Sequence, residues 1–466
     1  MIPSAAELAH GLPPAARRVL CVLEAAGFEA WVVGGWVRDA LRGDTAHDVD
    51  VTASAPWQET ARVARSAGLV VHETGCAHGT VTVVADGMPI EVTTFRQEGA
   101  YSDHRHPDSV SFVDDVRLDL ARRDFTINAM AFHPERGLLD PFGGRADLAR
   151  GVIRAVGEPA LRFGEDALRV LRAVRFACRL GFVVEPATQR ALEVTAPELA
   201  HVARERIGQE LDGIVSSGRA GWALEHETAV LVAALPELES CVGFDQRSPY
   251  HAFDVLTHTA HVCAAVEEFT CGLASRELRW AALLHDIAKP ETFTLDAKGR
   301  GHFYGHPRVG AQVARGVLRR MALSSEVVDP VVALVRRHDH VTTARRSSLR
   351  RLLMLLDRAC PGRAAELAFE VIDLKRADAV SKAPAAAGYA VELDRVTRAL
   401  RRELASGGCY RVRDLAVGGA DVIGELGLAP GPAVGDVLAG LLEAVIGDEV
   451  PNDRGALLAY AHTLRR

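Results

Sequence analysis

The chain lacks the features that would place it in an oxidising compartment or a bilayer. Its eight cysteines stand far apart, at positions 21, 76, 178, 241, 263, 271, 360 and 409, and none forms the CxxC spacing of a structural zinc or redox site. No stretch is apolar for long enough to span a membrane, and the N-terminus lacks a basic start, apolar centre and small-residue cleavage site. A cytoplasmic protein without membrane anchorage is therefore expected. Aromatic residues are few, at 6%, and there is no excess of positive charge, the formal net charge being -7. An acidic total argues against general capture of nucleic acid, which demands a basic footprint. A local patch is still open to it, because Arg162, Arg169, Arg172, Arg175 and Arg179 share one segment with only Glu165 and Asp166 as counter-charges. A solvated helix face is the plain alternative reading of that segment.

With 48% hydrophobic residues in 466, the chain can bury at least two cores, and three units with a tail are expected. Apolar Ala30-Trp31-Val32-Val33, alternation from His47 to Thr52, and short runs at Thr80 to Val84 and Ile90 to Thr94 predict strands after an opening helix over about 14 to 27. From Glu165 onward apolar residues recur at three and four, as at Leu168, Leu171, Val174 and Cys178, which predicts helices. Ser248-Pro249 marks a break, and beyond Gly407 a Gly/Pro-punctuated tail includes Gly431-Pro432. The divisions expected are 1–150, 151–247, 248–405 and 406–466.

Chemistry enters at Asp48-Val49-Asp50. Two carboxylates at i and i+2 of a strand point the same way and can share divalent cations through hard oxygen ligands. A bare DxD is weak, since surface Asp pairs are common. Its context is stronger: Gly34-Gly35 permits close backbone approach to a phosphate, with the Arg38 guanidinium alongside.

The segment GGWVRDALRGDTAHDVDVT, Gly34 to Thr52, resembles the signature of polymerase-beta-type nucleotidyltransferases, specifically the class II tRNA CCA-adding enzymes and bacterial poly(A) polymerases. The likeness continues through EVTTFR (Glu91 to Arg96), RRDFTINAMA (Arg122 to Ala131), EDALRVLRAVRFACRLGF (Glu165 to Phe182) and ERIGQEL (Glu205 to Leu211). The resemblance implies an α+β fold: a polymerase-beta-like head, an all-helical neck and body, and an all-helical HD domain. It implies Mg²⁺ on Asp48 and Asp50, with Gly34, Gly35 and Arg38 at a triphosphate. Glu91 is a lower-ranked third acid. Arg123, Asp124 and Asn128 are expected near the nucleotide sugar and phosphates, a structural Asp–Arg pair being the alternative. Asp166 and Arg169, three apart and read as one helix face, are implied to select CTP and ATP by their base edges, supported by Arg172. The polar segment Arg96 to Ser109 resembles the flexible loop used in switching from C to A, with His104 and His106 as surface side chains.

A second set begins at His258 on an apolar-periodic helix and continues through His285-Asp286, His306, His338 and Asp378. These six resemble the ligands of HD phosphohydrolases, in which imidazoles and carboxylates from separate helices converge on one or two metals. Mn²⁺, Co²⁺, Ni²⁺ or Zn²⁺, or Mg²⁺, is expected there, with His251, His302 and His340 as bystanders. The implied activity is addition of C, C and A to tRNA from CTP and ATP by a monomer or homodimer. Poly(A) synthesis and an RNA-associated phosphohydrolase are the alternatives. The tail resembles a segment that binds the tRNA elbow, and packing against the HD domain explains it almost as well.

Overall fold

The computed structural model of the protein describes residues 3–46, 48–76, 79–99, 110–249, 252–382 and 387–465. The chain divides into two compact units, Met1–Ile214 and Val215–Arg466.

The first unit opens with α1 (Ala5–Gly11) and α2 (Pro14–Ala25). A mixed sheet follows. Its strands are β1 (Ala30–Val33), β2 (Asp50–Ala53), β3 (Val70–Gly75), β4 (Thr80–Ala85), β5 (Met88–Thr94), β8 (Ala131–His133) and β9 (Gly137–Leu139), in spatial order β3-β4-β5-β2-β1-β8-β9. Helices α3 (Gly35–Arg42) and α4 (Trp57–Ser66) lie between these strands in sequence. Strands β6 (Arg96–Glu98) and β7 (Val110–Phe112) pair separately and antiparallel. Most of the segment expected to be a loop between ordered strands, 100–109, including His104 and His106, lies outside the described residues.

The alternation expected from His47 to Thr52 holds from Asp48 to Val51 and fails at Thr52, which is fully buried; His47 lies outside the described residues. Val49 and Val51 are fully buried, each contributing roughly 1.5–3 kcal/mol, and they hold the strand so that its acidic residues face outward. After α5 (Val116–Ala121) and α6 (Gly144–Arg150) come β10 (Val152–Ile153), α7 (Pro159–Glu165), α8 (Leu168–Leu180), β11 (Val183–Val184), α9 (Pro186–Thr195) and α10 (Arg204–Ser216). The helix α8 buries Leu168, Leu171, Val174 and Cys178, the spacing that its sequence predicts.

The second unit contains α11 (Ala220–His226), α12 (Thr228–Ala234), α13 (Val255–Phe269) and α14 (Arg276–Leu284), then a ribbon β12 (Thr294–Leu295) and β13 (Gly301–His302). It continues with α15 (His306–Arg320), α16 (Ser325–Arg337), α17 (Arg346–Ala359), α18 (Ala364–Val380) and α19 (Ala387–Ala405). Side-chain caps define two of the starts: Asp254 accepts from Thr257 N at α13, and Ser275 accepts from Leu278 N at α14. The expectation of an all-helical neck and body and an all-helical HD domain needs two corrections: the parallel β10–β11 pair interrupts the first, and the β12–β13 ribbon interrupts the second at a Gly-containing turn. The tail forms α20 (Gly419–Leu426), α21 (Pro432–Ile446) and α22 (Arg454–Ala461) around buried Val422, Leu441, Ile446 and Leu457, and Met354 of α17 joins that core. No described helix is long and apolar enough to cross a membrane.

Candidate active site and candidate metal centre

In the first unit, β1 ends at Val33 and is followed by Gly34, whose φ of 71° suits glycine and turns the chain directly into α3. A Cβ at Gly34 would sit 3.0 Å from Arg123 Nη1 and 3.9 Å from Asp50 Oδ2, so the missing side chain leaves room for those groups. Strand β2 sets Asp50 opposite Val33 on one side and Glu91 on the other. Asp48 precedes the strand and is exposed. The carboxyl of Asp50 is accessible through the mouth of a cleft, but protein crowds it from below. Its pKa is held above the usual carboxylate range, first by that burial; Arg123 opposes the rise, and Glu91 and Asp48 add to it.

The cleft encloses about 480 Å³. It brings together Gly34, Gly35, Arg38, Asp50, Arg123, Asp124, Asn128, Asp166, Arg169 and Arg172 of the residues singled out by sequence; Asp48 is outside its lining. Arg122, Arg175, Arg179 and Arg206 complete a cationic wall that the net charge of the chain conceals.

A hydrogen-bonded relay runs along the cleft wall. Asp124 accepts from Arg172 Nε at 2.9 Å and from Asn128 Nδ2 at 3.1 Å, and Asn128 Oδ1 accepts from Arg38 Nη1 at 2.8 Å. Burial alone would raise the Asp124 pKa, but Arg172, Asn128 and the Phe125 N–H together bring it down to about 2. Arg38 is itself buried and paired with Asp39 at 2.7 Å. Arg123 has a buried Nε without a hydrogen-bond partner, and its guanidinium lies 3.6 Å from the buried Asp119 carboxylate. Burial lowers its pKa and Arg122 adds to that, against the opposing pull of Asp119, Asp50 and Asp124.

The placement of Asp166 and Arg169 corrects the sequence reading. They do not share a helix face, because Asp166 is extended (φ -144°, ψ 104°) and separates α7 from α8. Its Oδ1 accepts from Leu168 N at 3.0 Å, and a short carboxylate that bonds nearby backbone favours such breaks over helix interiors. Its Oδ2 pairs with Arg206 at 2.7 Å. Arg169 is ion-paired with Glu165 and donates to the Arg162 carbonyl oxygen at 3.0 Å. Both residues nevertheless line the cleft. Arg206 was missed although it lies within ERIGQEL, because nothing in that segment shows which carboxylate it meets.

In the second unit the six histidine and aspartate residues converge. His258, His285, Asp286 and Asp378 offer ligand atoms all within 4.8 Å of one another, and Asp286, His306 and His338 do the same. Asp286 is common to both groups. Each imidazole has its Nδ1 backed by a carbonyl oxygen: Ser381 for His258, Ala282 for His285, Phe303 for His306 and Val335 for His338, at 2.7–3.3 Å. That anchoring fixes each Nε2 toward the centre, as metal-ligating histidines require. His285 Nε2 and Asp286 Oδ2 are buried 3.1 Å apart without a well-aligned hydrogen bond, and Lys289 Nζ lies 2.6 Å from the same Asp286 oxygen; the converging imidazole and carboxylate donors fit a divalent cation. Burial lowers the pKa of His258 and of His306, favouring the neutral, ligating form, whereas at His285 burial is outweighed by the adjacent Asp286 carboxylate and the pKa is raised.

Lys289 lies 2.6 Å from Asp286 and Lys382 2.5 Å from Asp378, two cations that the sequence reading passed over despite spacings of three and four. The cavity in front, about 420 Å³, is lined by these groups and also by His302, which had been set aside as a bystander. His340 is half-buried away from the cluster, and His251 lies outside the described residues.

Comparison with known proteins gives family-model matches along the chain. Residues 30–154 match the poly A polymerase head domain, 250–383 the HD domain and 394–461 a tRNA nucleotidyltransferase domain 2. The chain is 34% identical over 437 residues to the CCA-adding enzyme of Geobacillus stearothermophilus, covering 93% of each chain. It is 32% identical over 448 residues to that of Lactiplantibacillus plantarum, covering 96% of this chain and 95% of the relative. Among solved structures, the Bacillus stearothermophilus CCA-adding enzyme in complex with CTP superposes with a TM-score of 0.72 at 32% identity, covering 98% of both chains. A likeness that runs through both units at this identity has one reading: the chain belongs to the family of CCA-adding enzymes.

Proposed function

We propose that this protein adds C, C and A to the 3′ end of tRNA from CTP and ATP, releasing pyrophosphate. The observation that carries the reading is the arginine-walled cleft over Asp50, in a chain that resembles CCA-adding enzymes over nearly its whole length. In each addition the 3′ oxygen of the RNA bonds to the α-phosphorus, the bond to the β-phosphate oxygen breaks, and pyrophosphate leaves. Asp48 and Asp50 would hold Mg²⁺, an ion suited to their all-oxygen donor set. Bound there, the ion supplies charge neutralisation at the reacting phosphate. Glu91, beside Asp50 on β5, adds to the negative field. Gly34 and Gly35 let the triphosphate approach the backbone, and Arg123, whose buried Nε has no hydrogen-bond partner, faces it. The Arg172–Asp124–Asn128–Arg38 relay keeps that wall in place.

Asp166 and Arg169 are the base-selecting pair in this reading. Each Asp166 oxygen already accepts one bond, and a carboxylate oxygen has capacity for another, so it can still receive the exocyclic amine that cytosine and adenine share. Protein groups would then replace a nucleic-acid template. The divisions 1–150, 151–247, 248–405 and 406–466 are proposed as the head, the neck and body, the HD domain and a tRNA-contacting tail.

For the second unit we propose a metal-dependent phosphohydrolase that takes Mn²⁺, Co²⁺, Ni²⁺, Zn²⁺ or Mg²⁺. The mixed imidazole and carboxylate donors suit the transition metals. Fitting reactions are opening of 2′,3′-cyclic phosphates and removal of 2′-phosphates at tRNA ends.

The test is to incubate the protein with tRNA ending at the discriminator base, with CTP and ATP separately and together, and to sequence the product ends. Ends reading CCA support the proposal. A run of A without preceding C makes the protein a poly(A) polymerase instead, and no extension overturns both.

A further inference from the structure

One feature of the second unit is used by neither reaction above: the β12–β13 ribbon and the two aromatic rings that follow it. The ribbon is tightly fastened. Asp296 Oδ1 accepts from the backbone N–H groups of Lys298 and Arg300 at 2.8 and 2.9 Å, while its Oδ2 lies 3.3 Å from His302 Nε2. Gly301 N donates to the Arg247 carbonyl oxygen at 2.9 Å, and a Cβ at Gly301 would lie 2.2 Å from the Gln246 carbonyl oxygen. The Gln246 side chain in turn accepts from Lys289 Nζ at 2.9 Å, and Lys289 is the cation beside Asp286. The ribbon is thus tied to the histidine cluster through a short chain of bonds.

At its end the rings of His302 and Tyr304 stack, with centroids 5.3 Å apart and planes 5° from parallel. Tyr304 is 76% exposed. Leaving a large aromatic ring in water while fixing its orientation against a histidine has no packing benefit. Both rings line the same cavity as Asp286, His306, Lys289 and Lys382. An oriented, solvent-facing ring beside cations and a metal-ligand cluster is the arrangement that receives a base at one end and a phosphate at the other.

We infer that the cavity in front of the histidine cluster is a nucleotide site, in which the base stacks on Tyr304, steadied from behind by His302, and the phosphate reaches the cluster. This rests on the phosphohydrolase reading of the second unit and adds to it the residue that holds the base: Tyr304 makes the cavity favour a nucleoside phosphate over a phosphate ester without a base. In the reaction, a water oxygen bonds to phosphorus, the bond from phosphorus to the ribose oxygen breaks, and that oxygen leaves protonated on the nucleoside.

The experiment compares the full-length, metal-supplied protein with its Tyr304→Ala and Tyr304→Phe variants. Hydrolysis is measured with adenosine 2′-monophosphate and with glycerol 2-phosphate, which has no base. Calorimetric binding of adenosine 2′-monophosphate and of inorganic phosphate is measured in parallel, with and without metal. The expected result is a rise of roughly tenfold in KM and Kd for the nucleotide in Tyr304→Ala, the scale of one lost base stack. The kcat, the glycerol 2-phosphate KM and phosphate binding should stay unchanged, and Tyr304→Phe should restore the wild-type values. Equal losses on both esters, or nucleotide binding indifferent to Tyr304→Ala, overturns the inference. If the wild-type protein hydrolyses neither ester, the phosphohydrolase reading fails by itself; Tyr304-dependent nucleotide binding then still upholds the base subsite, and binding without that dependence removes it.

Discussion

The head cleft and the histidine cluster both gather acids and bases around a small volume, yet they settle those charges in opposite ways. In the cleft the arginines outnumber their partners, Arg123 keeps an unmatched buried Nε, and Asp50 is accessible through the mouth. In the cluster the imidazoles are buried and each is pinned from behind by a backbone carbonyl. The cleft is built to be completed by a highly charged substrate that arrives and leaves. The cluster is pre-set for a small resident cation, with ligand directions fixed before the ion binds. A strand and a turn place Asp50 and Gly34 in the first, with its arginine wall supplied mainly by α3, α8 and α10; the second is built from side chains of several helices of its unit.

The sharpest way to break this comparison is at Asp50. Asp50→Asn should reduce nucleotide incorporation by about 10³-fold, since charge stabilisation at the reacting phosphate is worth several kcal/mol. Its raised pKa means that the fold disfavours the charged form, so the same variant should melt no lower than wild type at neutral pH. Single-turnover incorporation and a thermal melt measure the two effects. Near-wild-type incorporation would remove Asp50 from the metal site.

Replacing His285 and Asp286 together by alanine should abolish phosphohydrolysis while CCA addition stays close to wild type. Circular dichroism must accompany the assays, because metal binding contributes to folding. A folded variant that loses CTP and ATP addition as severely as hydrolysis would show that the two sites do not work independently.

A smaller effect tests the relay along the cleft wall. The Asp124 carboxyl is brought from 3.8 to about 2 in the folded protein, so its contribution is fully present above the unfolded value and disappears as pH falls through about 2. At neutral pH that contribution is about 2 kcal/mol. Asp124→Asn should therefore lower stability by about that amount at pH 7 and flatten the acid limb of the unfolding profile between pH 4 and pH 2. Identical profiles for variant and wild type would make the relay energetically idle.

The smallest expected effect is at Arg206. Arg206→Ala frees Asp166 Oδ2 without touching the base contact itself, so only part of the about 1.5–3 kcal/mol of a charge-assisted hydrogen bond reaches selectivity, and discrimination against UTP and GTP should fall by roughly tenfold, about 1.4 kcal/mol. Misincorporation assays with all four nucleotides read this directly. Unchanged selectivity would show that Asp166 holds its position without Arg206.

The sequence was most informative where a short period decided the geometry. Alternation around Val49 and Val51 exposed the face of Asp50, and spacings of three and four located α8 and the helix of His258. Periodicity misled at Asp166, where a spacing of three was taken for a helix face and a backbone-bonding carboxylate had ended the helix instead. Partners from distant segments, such as Arg206 for Asp166 and Gln246 for Lys289, leave no local signal. The ribbon beneath His302 and Tyr304 was invisible for another reason: strands of two residues are too short to show a period.

Strand order in the head also bears on how the protein is made. β1 lies between β2 and β8, and its register partners on β8, Phe132 for Val32 and Ala131 for Val33, follow about a hundred residues later. A nascent chain leaving the ribosome can close β1 onto β2 early, but the other edge of this apolar Ala-Trp-Val-Val segment must wait for that long loop to close. Until residue 133 emerges, an unpaired hydrophobic edge is open to strands of other chains. The order of synthesis thus makes the interval between Val33 and His133 the period of greatest exposure to aggregation, and the arrival of β8 ends it.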